Sequence, residues 1–267
     1  MPETLAGLAV GASASKFGMT ETELTGAVSV VVDSSDGAVR PRGVHVHVGS
    51  QLRAVDAWRD AVHRALAVVA LVRGGLDDFD TLDVGGGFAV PPAGEAAPGP
   101  ERFAREMPAL LDSVPAARRP RSLAIEPGRY LVARAGWLVA RVLHVRERGE
   151  DRQIVLDAGM TELIRPALYG ARHEIVALTS LGRSVQDDPD TTGNVVLARV
   201  EGPICESTDH LGEHPLPPLR RDDLVAIADA GAYAASLSST YNGRPRPPQA
   251  ILRTDGSLDM ARARGRI

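Results

Sequence analysis

The sequence predicts an α/β chain in two parts: residues 1-130 as part of a (β/α) barrel, and residues 131-267 as an antiparallel β domain. Three observations predict it. Candidate strands and helices alternate up to about residue 130, as parallel strands joined by helical crossovers require. Each candidate strand in that stretch ends in glycine or polar residues, on the face where (β/α) barrels build their sites. From 131 onward the pattern changes to short alternating or apolar runs broken by turn residues, the signature of antiparallel strands.

In chain order, Thr20 and Glu23 make a capping box that starts a helix through the 20s. GVHVHVGS (43-50) is a β-branched run closed by Gly and Ser, and it reads as the first strand. Val55, Trp58, Val62, Leu66 and Val69 recur at three- and four-residue spacing, which predicts an amphipathic helix over 54-73. FDTLDVGGG (79-87) is the second strand, PERFAREMPALLDSV (100-114) a helix after a Pro/Gly-rich loop, and SLAIEPG (122-128) the third strand. In the second part, GWLVARVLHVRERGEDRQIVLDAG, NVVLARVEGPIC and DLVAIADAGAY supply strands. EHPLPPLRRDD (213-223) reads as a polar loop, and no repeat of 20 to 50 residues is evident.

Composition excludes several classes. Of 267 residues 44% are hydrophobic and 24% charged, and a net charge of -4 gives no polyelectrolyte signal for nucleic acid or an anionic membrane. One cysteine rules out an internal disulfide framework, and no run approaches the ~20 apolar residues of a membrane span. MPETLAGLAVGASASKFGM lacks the basic start and apolar core of a secretory signal, so a cytoplasmic location is expected. The only lysine is Lys16.

Chemistry is concentrated at the strand ends. Gly85, Gly86 and Gly87 remove every side chain where a strand meets the next helix, which lets backbone N–H groups approach a phosphate; a tight turn has the same composition. EPGRY (126-130) places Glu126 and Arg129 around a Pro-Gly turn that could equally be a solvated surface turn, and HVGS (47-50) places His47 and Ser50 at another strand end. Cys205, in EGPICESTDH (201-210), is either a small buried apolar residue or a reactive thiol. The neighbouring Glu206 and Asp209 would, if close, keep it protonated, which suits a proton donor better than a nucleophile.

Taken in order, SKFGM (15-19), HVGSQ (47-51), DVGGGF (83-88), EPGR (126-129), DAGMTELIRPALY (157-169), GPICESTD (202-209) and DAGAYAASLSSTYNGRPRP (229-247) make the chain resemble the fold-type III pyridoxal-phosphate decarboxylases, in particular the diaminopimelate decarboxylases. The resemblance implies the C-terminal half of an alanine-racemase-like (β/α)8 barrel followed by an antiparallel β domain, and pyridoxal 5'-phosphate as cofactor. Gly85, Gly86, Gly87 and Ser50 would hold the cofactor phosphate, His47 would stack on its ring, Glu126 would keep the ring nitrogen protonated, and Gly128 and Arg129 would also bind the cofactor. Arg129, Arg165 and Tyr169 would bind substrate carboxylates, with Pro166 at the first position of a short helical turn presenting Arg165 just outside it. Glu206 would receive a distal ammonium, Tyr233 would line the cofactor and substrate site, and Cys205 would return a proton to Cα. The implied partners are a small amino-acid substrate and a second copy of the chain in a homodimer with shared sites.

The sequence departs from that family in one respect. The lysine that holds the cofactor lies, in the family, in a segment reading roughly Y-A-x-K-A-N ahead of the SKFG motif, and Lys16 falls on SKFG itself. A complete barrel takes roughly 250 residues, against about 130 ahead of the β domain, so the expectation is a truncated barrel with exposed apolar edges, inactive as an isolated chain. Two other readings stay open: a decarboxylase of the same fold acting on an ornithine-like or carrier-bound amino acid, and a non-catalytic relative that serves as a binding or dimerisation module. A second polypeptide could also complete the barrel.

Overall fold

The computed structural model describes residues 16–34, 37–149, 151–185 and 194–266; residues 1–15 of the N-terminal run read above for a secretory signal, Ser15 of SKFGM included, lie outside them. The chain divides into two compact units, one running to Tyr130 and one from Leu131. Among the described residues no helix is long and apolar enough to cross a membrane.

The first unit is built on three parallel strands, β1 (Gly43–His45), β2 (Thr81–Asp83) and β3 (Ser122–Ala124), in the spatial order β1-β2-β3. Val44 pairs with Leu82, and Leu82 with Leu123. Helix α1 (Glu21–Ser34) precedes β1, α2 (Asp56–Val72) crosses from β1 to β2, and the short α3 (Pro100–Ala104) and α4 (Met107–Asp112) lie between β2 and β3. The capping box forms as expected: Thr20 N–H donates to the Glu23 carboxylate at 2.7 Å, and Glu23 N–H to the Thr20 hydroxyl at 3.3 Å.

Helix α2 buries Trp58, Val62, Leu66 and Val69, the stripe its spacing predicts. Trp58 also donates its indole N–H to the Val84 carbonyl at 3.1 Å, which locks the helix to the end of β2. The helix expected over 100-114 is instead two, because Pro108 has no N–H for the Ala104 carbonyl and can sit only in the first turn of α4. Phe103 then packs edge-on to Trp58 and to Phe88, each at 5.3 Å between ring centres, and Phe88 meets Tyr130 at 6.3 Å.

The second unit holds a six-stranded sheet of β4 (Leu138–Arg148), β5 (Asp151–Leu156), β6 (Ile175–Leu178), β7 (Val196–Glu201), β8 (His210–Leu216) and β9 (Leu224–Ile227), in the order β6-β9-β4-β5-β7-β8. All neighbouring pairs are antiparallel except β5 with β7, so the antiparallel expectation fails at that one ladder. The polar loop expected over 213-223 starts four residues late: Glu213–Leu216 belong to β8, where the edge position tolerates Pro215 opposite Leu197. Val142, Ile154, Leu156, Val200, Val225 and Ile227 form its core with Leu163 from the turn after β5. A separate hairpin, β10 (Gln249–Leu252) with β11 (Leu258–Arg262), follows.

Candidate active site

In the first unit the residues after the three strands converge. Val46 N–H donates to the Asp83 carbonyl, Val84 N–H to the Ala124 carbonyl and Glu126 N–H to the Gly85 carbonyl, all at 2.9 to 3.0 Å, so the chain ends stay laced together past the strands proper. This places His47 and Glu126 at one end of the sheet. With His45 they offer two imidazoles and a carboxylate whose ligand atoms all lie within 4.8 Å of one another, a set that could hold the polar edge of an aromatic ring or a divalent cation.

The triple glycine is there for space. A methyl on Gly85 would stand 2.2 Å from the Val46 carbonyl oxygen, on Gly86 2.1 Å from that of Glu126, and on Gly87 2.1 Å from that of Gly49. Gly85 and Gly87 also have φ of +71° and +89°. Any side chain here would push apart the loops that carry His47, Ser50 and Glu126. Two of the three amides are already engaged, Gly85 N–H with the Asp83 carboxylate at 2.9 Å and Gly86 N–H with His47 Nδ1 at 3.3 Å.

Half-buried His47 is held below the ordinary value near 6.5, first by burial and then by the neighbouring His45, with Glu126 and Asp83 opposing. His47 is therefore a neutral imidazole at neutral pH, and accepting from Gly86 fixes its proton on Nε2. His45 Nε2 lies 3.0 Å from a Glu126 carboxylate oxygen, with both side chains about half exposed. Gly128 and Arg129 follow in the short helix α5 (Gly128–Val132), one turn beyond Glu126.

The second unit carries the other sequence-predicted residues. Cys205 is exposed, which overturns its reading as a buried filler. Glu206 is exposed beside it, in a loop flanked by buried Ile204 and Asp209. Arg165 differs from expectation: it is the first residue of helix α6 (Arg165–Tyr169), with Pro166 second, and it is 5% exposed. Its Nη1 lies 2.8 Å from His173 Nε2, and His173 Nδ1 lies 2.8 Å from the Ala228 carbonyl, so His173 donates to Ala228 and accepts from the arginine. Tyr169 is partly exposed at the other end of α6. Tyr233 is 48% exposed with φ of +64°, an uncommon conformation for a bulky residue and one that clusters at functional sites.

Three residues of these neighbourhoods escaped the sequence reading of function. His45 was legible as the second imidazole of H-V-H, since residues two apart on a strand share a face. Gln51 brackets Val90, donating to its carbonyl at 3.2 Å and accepting from its N–H at 2.8 Å, and nothing in the sequence signals so distant a pairing. Asp209, read only as a neighbour of the thiol, commits its carboxylate to the backbone N–H groups of Met160 and Ile204.

Strand-end loops that gather a carboxylate, a neutral imidazole and close-packed glycines, on parallel strands with helical crossovers, make a candidate site at the end where (β/α) barrels build theirs, here with a separate β unit after it. The chain belongs to the pyridoxal-dependent decarboxylases: residues 29–231 match the family described as "Pyridoxal-dependent decarboxylase, C-terminal sheet domain". It is 34% identical over 272 residues to the diaminopimelate decarboxylase of Escherichia coli, covering 96% of this chain and 60% of that one. It is 36% identical over 246 residues to that of Deinococcus radiodurans, covering 91% and 57%. Among solved structures, diaminopimelate decarboxylase from Helicobacter pylori complexed with L-lysine matches with a TM-score of 0.82 and 29% identity, over 98% of this chain and 61% of that one. The chain thus spans about 60% of the length of the relatives it matches, and its architecture is part of their barrel followed by the β domain.

Proposed function

We propose that this chain carries the later barrel strands and the β domain of a pyridoxal-phosphate-dependent carboxy-lyase that converts meso-diaminopimelate to lysine and carbon dioxide. The observation that carries the reading is the meeting of His47, Glu126 and the Gly85 to Gly87 turn at one end of three consecutive parallel strands. The fit to the cofactor rests on the same geometry: the glycines keep side chains out of the strand ends, the imidazole is neutral and can lie against a ring, and the Glu126 carboxylate remains accessible.

When bound, the pyridine ring supplies the sink for the electron pair left at Cα as carbon dioxide departs. Glu126 would hold a proton at the ring nitrogen, its negative charge keeping that nitrogen cationic. His47, held neutral, would stack on the ring without adding charge. The amides of Gly85 to Gly87 and the Ser50 hydroxyl would hold the cofactor phosphate, with those of Gly85 and Gly86 exchanging their bonds to Asp83 and His47 for it, and Gly128 would border the cofactor.

Arg129 and Tyr169 take substrate carboxylates, and Arg165 joins them by turning from His173. Glu206 takes the distal ammonium, Tyr233 lines the cofactor and substrate site, and the Cys205 thiol gives its proton to the α-carbon, leaving a thiolate. Exposure of Cys205 and Glu206 on a loop supports delivery into the site of a second copy, hence a homodimer with shared sites.

The test uses the chain with pyridoxal phosphate, followed by borohydride reduction, mass spectrometry and assay of carbon dioxide release from meso-diaminopimelate. The expected result is no turnover and no stoichiometric label, because the only lysine is Lys16, whose ammonium lies over the Phe17 ring at 5.0 Å. Stoichiometric label on Lys16 together with turnover would contradict this account of the chain.

A further inference from the structure

Four consecutive exposed residues, Cys205, Glu206, Ser207 and Thr208, stand between buried Ile204 and buried Asp209. The loop closes on itself at the base: Gly202 N–H donates to the Asp209 carbonyl at 2.8 Å, and Asp209 N–H to the Glu206 carbonyl at 3.0 Å. The Asp209 side chain reaches further. One carboxylate oxygen accepts from Met160 N–H at 2.6 Å and the other from Ile204 N–H at 2.7 Å, so a single group ties the base of the loop to the turn after β5.

That turn is itself pinned, since buried Glu162 accepts from Gly159 N–H at 2.9 Å and from the Thr161 hydroxyl at 2.8 Å. A carboxylate that is 3% exposed is costly unless its oxygens are hydrogen bonded, and backbone donors this close are strong partners. The room for it is made by two glycines: a methyl on Gly159 or on Gly202 would stand 2.2 Å from an Asp209 oxygen. Neither glycine has a positive φ, so space alone excludes a side chain at both.

We infer that Asp209 is the positioning residue of the Cys205 loop: its buried carboxylate, clamped between the Met160 and Ile204 amides, sets where the thiol and Glu206 stand. The inference rests on the proposed role of Cys205 in proton return, but its test needs no cofactor. Asparagine at 209 has one oxygen for two N–H groups and must aim its own N–H2 at one of them, which opens one side of the clamp. Glycine substitutions act from the other direction, by displacing an intact carboxylate.

Because Cys205 is the sole cysteine, a nitroxide label attached to it reports the loop directly. Electron paramagnetic resonance would be recorded on the labelled chain, on Asp209→Asn and on Ile227→Ala, a core variant of the same unit chosen to lower Tm without touching the loop. Asp209→Asn should shorten the label's correlation time about threefold, toward that of an unanchored loop, while Ile227→Ala leaves it unchanged. Should Asp209→Asn not fold, Gly202→Ala is read in the same way and is expected to give the same shift. Equal spectra for wild type and the clamp variants overturn the inference, as does an equal shift in Ile227→Ala. Unfolding of both clamp variants overturns it too, since Asp209 then serves stability alone. A null result here leaves the cofactor reading standing, because that reading is tested by binding at the other unit's strand ends.

Discussion

Individual residues at the strand ends are held by space and by single hydrogen bonds, so small changes there should have large effects. Gly86→Ala puts a carbon 2.1 Å from the Glu126 carbonyl oxygen, which cannot yield as a side chain would, and should lower stability by about 1–3 kcal/mol in urea unfolding. Protonation is equally specific. Buried His214 is held below its ordinary value near 6.5 mainly by burial, with its bond to the Leu211 carbonyl opposing and Arg172 assisting. A depressed histidine is neutral when folded and takes up its proton more readily when unfolded. Its stability contribution is therefore full above about pH 6.5 and is lost as pH falls through the lower folded value. Tm should drop as pH is lowered below about 6.5, and His214→Gln should flatten that slope; His47 adds a contribution of the same sign. At this scale the sequence showed residue types and order, which is how Glu126, His47 and Cys205 were named. It could not show Gln51 on Val90, or Arg165 folded against His173, because those contacts join segments whose separation only the tertiary structure sets.

Elements were legible where one local signal dominated. The capping box at Thr20 fixes the start of α1, and the three- and four-residue spacing of apolar side chains fixes α2. Where two signals competed, the reading slipped: 100-114 has helical composition throughout, but Pro108 splits it, and Pro215 made 213-216 read as loop although an edge strand accepts it. The parallel pairing of β5 with β7 has no local signature at all, since it depends on a connection across the sheet. The attachment of α2 to β2 gives a prediction at this scale. Trp58→Phe keeps the packing against Phe103 but leaves the buried Val84 carbonyl without its indole donor, and should cost about 1–3 kcal/mol by chemical denaturation with little change in secondary structure.

At the scale of the whole molecule, the first unit exposes a sheet edge. Among the described residues the parallel sheet has three strands, with β1 and β3 as its edges, and Leu123 and Ile125 are exposed at and just beyond β3. Unpaired edges with apolar neighbours favour association. Sedimentation velocity of the chain should show species heavier than one chain, and Leu123→Lys with Ile125→Lys should shift them toward the single chain. That the barrel is partial was legible from length, because about 130 residues cannot supply eight strands and eight helices. The central claim is that the strand ends bearing Gly85 to Gly87, His47 and Glu126 form a pyridoxal-phosphate site, and calorimetric titration of the chain tests it most directly. The account predicts saturable binding of pyridoxal phosphate, much weaker binding of pyridoxal without the phosphate, and loss of binding in Gly86→Ala and Glu126→Ala. Equal binding of pyridoxal and its phosphate, or binding indifferent to both substitutions, would contradict it.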